Sequence, residues 1–426
     1  MKARPGWTSL SVFALLLISS LVLAPRAGQK VAAQSPVKPL ERPKVRALTA
    51  FVHLDRAQVQ QQVADALSFL RKLKAECEKA GYEVESTRIT TQPFSEYIRG
   101  LSPEAALAFF RDYNAFAVKE NFDASIGPAM VSDDADPHEA ELLGQIIAST
   151  TTLESSVTVA GEDGVHWKAV RAAARVMKYL EDHTAHSQGN FKFTAAALVP
   201  PGTPFYPASY AGASSHQFAI GLESANVVAE ALGSAHHPEG AEKTIVAALE
   251  PHAQAIEAVA QRVAKEAGWS YLGIDLSPAP LKEVSIGAAI ERFTGSRMGS
   301  SGTLTTAALI TRELREIHVT RTGYSGLMLP VLEDSVLVQR WSEGAFSADA
   351  LLAYSSVCGT GLDTVPLPGD VSEEQLARII ADVASLAVKL HKPLSARLLP
   401  VAGKKAGEHT EFDDPFLVNV TLQPLP

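Results

Sequence analysis

From Val45 onward the chain repeats a strand pattern followed by an amphipathic helix pattern, and this alternation constrains the fold more than any motif does. Residues 45–52 read as a strand, and in 56–80 the apolar residues Val59, Val63, Leu67, Leu70, Leu73 and Cys77 recur every three or four positions. That spacing puts them on one stripe of a helix, which Gly81 ends, and 82–91 reads as the next strand. Further strands are expected over 123–129, 153–160, 192–199, 269–276, 323–331, 396–401 and 417–422. Helices are expected over 103–119, 139–149, 167–183, 217–232, 239–267 and 304–318. Strand and helix in repeated alternation imply a mostly parallel sheet covered by helices. With about nine or ten strands and no linker after Lys44, a single large α/β barrel over 45–426 is expected in preference to two domains.

The first residues address the chain. Lys2 and Arg4 precede an apolar run from Leu10 to Ala24, and small residues follow, ending in Val31-Ala32-Ala33. This is the pattern of a secretory signal peptide over 1–33, with an uncleaved N-terminal membrane anchor as the alternative. Pro36, Pro39 and Pro43 then give an extended tether over 34–44. The expected location is periplasmic or extracellular, with no membrane span left after cleavage. Cleavage after Ala33 removes Lys2, Arg4, Arg26 and Lys30 and no acid, which moves the formal charge from −9 to −13. An acidic chain without a Lys/Arg stripe is a poor partner for nucleic acid, so a small-molecule ligand is the expected partner, with a homo-oligomer left open. Two cysteines, Cys77 and Cys358, give no disulfide scaffold.

The segment Ser355 to Asp370 holds Cys358, Asp363, Asp370, three glycines and two prolines between two helix patterns. Ser372 and Gln375 form a capping box for the helix that follows, so the segment reads as a loop pinned at both ends. Cys358 is a nucleophile only if another part of the fold lowers its pKa; otherwise it is a buried small hydrophobe. Asp363 and Asp370 either bind substrate or a divalent cation or cap loop N–H groups.

A second constellation is the long Pro- and aromatic-rich loop 199–215, which carries Tyr206 and Tyr210 as substrate-facing candidates and leads to His216 and Glu223. Seven apart on the expected helix, His216 and Glu223 would form an acid/base pair, or His216 is a polar helix start. A third is the glycine-rich stretch Gly295 to Thr303, where free N–H groups and Arg297 suit a carboxylate; an ordinary cap is the alternative. It lacks the Gly-Lys-Ser/Thr ending of a nucleotide loop, and no nucleotide is expected. Asp275 and Glu333-Asp334 end strand patterns, where α/β folds place chemistry. His183, His186 and the pair His236-His237 lack zinc-ligand spacing.

Three motifs, Tyr271-Leu-Gly-Ile-Asp-Leu-Ser-Pro-Ala-Pro280, Gly323-Tyr-Ser-Gly-Leu-Met-Leu-Pro-Val-Leu-Glu-Asp334 and Cys358-Gly-Thr-Gly-Leu-Asp-Thr-Val-Pro-Leu-Pro-Gly-Asp370, together resemble the family called domain of unknown function 711. The resemblance implies a fold similar to pyruvate formate-lyase and other glycyl radical enzymes, a ten-stranded α/β barrel entered by a finger loop. Ser355 to Asp370 is the candidate finger. Those enzymes carry a glycine in an Arg-Val-x-Gly-Tyr-like segment near the C-terminus, whereas this chain reads Glu408-His-Thr-Glu-Phe-Asp-Asp-Pro-Phe416 there. The barrel carries over and the radical does not.

The expectation is therefore an exported enzyme acting on a small polar or carboxylate-bearing metabolite by acid/base or metal-assisted chemistry, with a non-catalytic binding protein as the alternative. Cys358, His216 and Glu223 are the expected catalytic groups. Asp363, Asp370, Asp275, Glu333, Arg297, Thr303 and Tyr210 are the expected substrate-binding ones.

Overall fold

The computed structural model describes residues 42–235 and 238–425. The expected signal peptide, the expected tether up to residue 41 and the pair His236-His237 lie outside the described residues. The strands are β1 (Lys44–Val52), β2 (Val84–Thr91), β3 (Asp123–Ser125), β4 (Leu153–Gly161), β5 (Gly164–Val165), β6 (Phe193–Ala197), β7 (Gln217–Glu223), β8 (Ser270–Asp275), β9 (Gly361–Pro368) and β10 (Leu394–Val401). They form one sheet in the order β8-β7-β1-β2-β3-β4-β6-β10-β9, with β5 paired to β4. Strands β1 to β4 and β6 run parallel. The flanking pairs β7-β8 and β10-β9 are each parallel within the pair and antiparallel to the central five.

Helices form where the apolar stripes place them, including Val59–Lys79, Pro103–Glu120, Trp167–His183 and Glu373–Leu390. The capping box of Ser372 and Gln375 is present. Three expectations fail for local reasons. Residues 217–232 are a strand followed by a helix, Ala225–Ser234, because the run Phe218-Ala-Ile-Gly-Leu222 fits either period. Residues 323–331 form no strand, interrupted by Gly323, Gly326 and Pro330; among the described residues they and their neighbours make single bridges, Arg321 to Ile274 beside β8 and Pro330 to Asp363 in β9. Residues 417–422 form no strand either: Asn419 bonds the N–H and C=O of Phe412 and fixes a local loop instead.

The segment Ser355 to Asp370 is the fourth correction. Its stretch Gly361–Pro368 is strand β9, buried along its length, rather than a presented loop. Its glycines serve close backbone approach. A side chain on Gly361, at φ 103°, would meet the Ser395 carbonyl oxygen of β10 at 2.3 Å. One on Gly326 would meet the Gly359 Cα at 2.8 Å. The sequence shows that glycine is required there, and close strand packing requires it as much as a catalytic loop would.

Successive side chains of a strand point to opposite faces, and here the faces differ in kind. Leu48, Ala50 and Val52 of β1 join the main apolar core with the helices. Phe51 belongs to a separate cluster with Ala211 and Ala219. On Phe51's face, register aligns Thr49 with Arg88 and Arg88 with Asp123, and aligns Phe51 with Thr90, Thr90 with Ser125 and Ser125 with Glu154. That face is polar, and the 199–215 loop covers part of it. The Tyr206 hydroxyl donates to the Ile89 carbonyl at 2.9 Å and accepts from Ser125 N at 3.2 Å, and the Ala211 N–H donates to the Thr91 carbonyl at 2.9 Å. Hydroxyl-bearing strand residues satisfy this buried loop. This loop, and not the Ser355 to Asp370 segment, is the stretch laid across the polar face of the sheet.

Candidate functional site

A cavity of about 280 Å³ opens on the polar face, at the end where β1 to β4 begin and β7 and β8 finish. Its walls combine Phe191, Phe205, Tyr206 and Phe416 with charges of both signs. Those charges fall into two groups.

On one wall the charges are joined. Arg397 of β10 donates from Nη2 to Glu333 Oε1 at 2.7 Å and from Nε to Asp363 Oδ1 at 2.8 Å. Arg46 of β1 donates to Glu223 at 3.2 Å and to Glu333 at 3.2 Å. Two irregularities of the sheet aim these side chains. Asp363 and Thr364 both stand opposite Arg397, because the register passes from Leu362↔Ala396 to Val365↔Leu398. Arg46 is likewise the extra residue of β1 between Val45↔Leu222 and Ala47↔Gly221. Bulges of this kind redirect side chains and recur beside functional sites. Burial works against the charge of Arg397, but Asp363 and Glu333 outweigh it, and its pKa rises above the ordinary arginine value. Asp275 also lines this side, and it is saturated. Its Oδ1 accepts from Ser277 N, Ser277 Oγ and Ser325 N and its Oδ2 from Tyr324 N, at 2.6–3.0 Å. Gly323, at φ 65°, is required here, since a side chain would collide with Asp275 Oδ2.

Across the cavity the charges stand apart. Arg88 of β2 bonds Ser86 Oγ at 3.1 Å and lies over the Tyr206 ring at 4.7 Å. Among the described residues no carboxylate lies within 4.0 Å of its guanidinium, although Asp123 is its register partner on β3. Glu154 on β4 and Asp123 form no ion pair among the described residues either. Lys192 donates to the Thr150 and Thr151 carbonyls at 2.9 and 3.2 Å, and Asp414 accepts from its own loop at Phe416 N at 2.9 Å. Burial pushes the Glu154 carboxyl up to about 7, with Arg88 opposing and Asp123 adding to the rise. Glu223 is also pushed up to about 7, by burial and then by the neighbouring Glu85 charge, against the pull of Arg46. A carboxyl that titrates near neutrality can both take and give a proton.

Of the ten residues expected to carry catalysis or substrate binding, four gather here: Glu333 and Asp275 line the cavity, and Asp363 and Glu223 stand behind it, paired to Arg397 and Arg46; Tyr206, also a substrate-facing candidate, lines it too. The other six lie elsewhere. His216 is exposed just before β7, while Glu223 ends that strand, so extended chain of about 23 Å separates them and no acid/base pair forms. Cys358 is buried at the end of helix Ala348–Ser355, and burial raises its thiol pKa despite the nearby Lys392 ammonium, which donates to the Cys358 carbonyl. That burial works against the thiolate a nucleophile would need. Asp370 is exposed beyond β9, remote from Asp363 at that strand's other end, so the two carboxylates cannot share a cation. Arg297 is exposed and reaches Glu343 at 3.6 Å. The Thr303 hydroxyl accepts from Gly299 N, and that of Tyr210 donates to the Val199 carbonyl. Both serve their own loops. Among the described residues, no group of three or more His, Cys, Asp and Glu side chains is arranged to hold a metal ion.

Sequence reasoning missed Arg46, Arg88, Glu154 and Arg397. The signal was a charge inside a strand pattern, as in Leu394-Ser-Ala-Arg-Leu-Leu-Pro-Val401, where a charged side chain is buried only with partners.

The chain matches the family described as Uncharacterised ACR (DUF711) over residues 40–413. It is 32% identical over 405 residues to a UPF0210 protein of Pyrobaculum aerophilum, covering 86% of this chain and 87% of that one. It is 30% identical to a UPF0210 protein of Acetivibrio thermocellus, with 84% and 83% covered. Against a UPF0210 protein of Bifidobacterium longum subsp. infantis the figures are 28% identity, 78% and 77%.

Proposed function

This chain belongs to the DUF711 family, and on that premise we propose that it is an exported enzyme that moves a proton on a small carboxylate-bearing metabolite held in the 280 Å³ cavity. The observation that carries this reading is the open wall. Arg88 presents a guanidinium with no carboxylate partner among the described residues, beside Glu154, whose carboxyl is likewise unpaired and titrates at about 7. Arg88 receives the substrate carboxylate in the bidentate manner a guanidinium favours. Glu154 takes or gives the proton. The Arg46-Glu333-Arg397-Asp363 wall holds the opposite side rigid and contributes a fixed field.

Two coarser elements belong to the same proposal. The sheet is read as a barrel, its gap between β8 and β9 spanned by the bridged residues 321–330; support comes from the bridges to both edges. Export is supported by the apolar run Leu10 to Ala24 behind Lys2 and Arg4. Among the described residues no helix is long and apolar enough to cross a membrane. N-terminal sequencing and fractionation of the protein test export, and Met1 retained on protein recovered from the cytoplasmic fraction would end that part.

The catalytic test needs no knowledge of the overall reaction. The protein is incubated in D2O with small carboxylic acids, including 2-hydroxy, 2-oxo and 2-amino acids, and loss of the C–H signal at C2, or at C3 for the 2-oxo acids, is followed by proton NMR. Wild type is expected to exchange that proton, and Glu154→Gln to do so about 10²–10⁴-fold more slowly, the usual contribution of a positioned acid/base. Binding of a carboxylate without exchange would leave the binding-protein alternative standing and remove the catalytic one.

A further inference from the structure

We infer that the ligand of this cavity is a zwitterion, an α-amino acid, rather than a simple carboxylate. The inference rests on the reading of the cavity as the ligand site, and it comes from the signs of the charges left open there. Arg46 and Arg397 are neutralised by Glu223, Glu333 and Asp363, and Asp275 is satisfied by four donors. Without ion partners among the described residues are Arg88 and Lys192 on the positive side and Asp123, Glu154 and Asp414 on the negative. Lys192 is close enough to Glu154 and Asp414 to feel their charges, but a bare monoanion on Arg88 would still lie beside the Asp123 carboxylate, and like charges in a partly enclosed site repel strongly. A bare amine would leave the opposite mismatch at Arg88. A molecule with both groups answers both.

The spacing agrees with this. Arg88 and Asp123 are register partners on the adjacent parallel strands β2 and β3, and neighbouring strands lie about 4.8 Å apart. Carboxylate carbon and ammonium nitrogen on a single carbon are about 2.5 Å apart, and with a hydrogen bond of about 2.9 Å on each side one molecule reaches both side chains. The two side chains do not pair with each other: the Arg88 guanidinium is held by Ser86 Oγ and the Tyr206 ring. Arg88 takes the carboxylate, Asp123 the ammonium, and the side chain of the ligand meets Phe191, Phe205 and Met328. Glu154, in register with Ser125 on the next strand, lines the same cavity and feels the charges of both Arg88 and Asp123.

Calorimetric titration with three matched sets of compounds tests the assignment: α-amino acids, the 2-hydroxy acids with the same side chains, and the primary amines that lack the carboxylate. Wild type is expected to bind at least one amino acid at least tenfold tighter than both of its counterparts. Asp123→Asn should narrow the preference over the 2-hydroxy acid to less than threefold, and Arg88→Gln should abolish binding of both, with each variant's thermal unfolding recorded to establish that it is folded. If 2-hydroxy acids or amines bind wild type as tightly as the amino acids, the zwitterion is wrong while the site stands. If none of the three sets binds wild type, the cavity is not the site and the proposed function falls with it. If amino acids bind and Asp123→Asn leaves their preference intact, Asp123 is not the ammonium partner and the inference is overturned.

Discussion

The two walls of the cavity are built from the same residue types and do opposite things. On the β8, β9 and β10 side Asp275, Asp363, Glu333 and Arg397 are buried, and each charged group has an opposite charge or backbone donors beside it, with Asp363 Oδ2 alone of their carboxylate oxygens left without a hydrogen-bond partner. On the β2, β3 and β4 side Arg88, Asp123 and Glu154 stand on three consecutive strands and form no ion pair among the described residues. Burial alone therefore does not mark a functional residue. A satisfied buried charge holds the fold, and one left open awaits something else.

The largest expected effect attacks the satisfied wall. Arg397→Ala leaves Glu333 and Asp363 buried without their cation and should cost about 3–5 kcal/mol, the usual penalty for removing one partner of a buried pair, whereas Arg88→Ala should change stability by less than about 1 kcal/mol. Urea unfolding of both variants measures the contrast, and similar losses in the two would abolish the distinction between the walls. Next in size is Asp275→Asn. The amide keeps one acceptor and turns its NH2 toward donors that the carboxylate accepted, for a loss on the order of 2–3 kcal/mol.

A smaller effect, in pH, sharpens the comparison from the open side. Burial holds the Glu154 pKa at about 7, above its ordinary value of 4.5. Between those values the folded protein keeps a proton that the unfolded chain has released. Its contribution is therefore complete below pH 4.5 and is lost as the pH rises through about 7. Glu154→Gln should flatten that part of the stability profile and gain on the order of 1–2 kcal/mol at pH 8. Glu223 shifts in the same direction and keeps its own share of the slope. A profile unchanged by Glu154→Gln would place that carboxyl in water.

Much of this fold was legible because period and burial are coupled. Trp167–His183 forms where its stripe predicts, and Ser372 caps its helix as the Ser-x-x-Gln pattern requires. Legibility failed where one pattern serves two structures: Phe218 to Leu222 suits a strand or a helix, and the glycines of 359–361 suit a loop or close-packed strands. The candidate site was legible only in its acids. Glu333 and Asp363 stood out at strand ends and beside glycines, but which cation they face depends on bulges at Arg46 and opposite Arg397, and no local signal encodes a register shift. Cys358 stood out for its chemistry and proved to be packing.

The smallest expected effect asks whether the chemistry lies at one end of the sheet alone. His216 and Glu223 flank the same strand, one exposed and one buried beside Arg46. His216→Ala removes an exposed ring that packs edge-on against Trp269 at 5.1 Å. It should alter stability by no more than about 0.5 kcal/mol and leave ligand binding unchanged. Glu223→Gln, by contrast, takes a carboxylate from Arg46 and loosens the wall that also holds Glu333, so ligand affinity should fall severalfold even though neither residue touches the ligand. Titration of both variants decides the matter. A loss from His216→Ala that matched the loss from Glu223→Gln would require a second working mouth at the end of the sheet where β7 begins, and the two-wall reading of a single cavity would have to be given up.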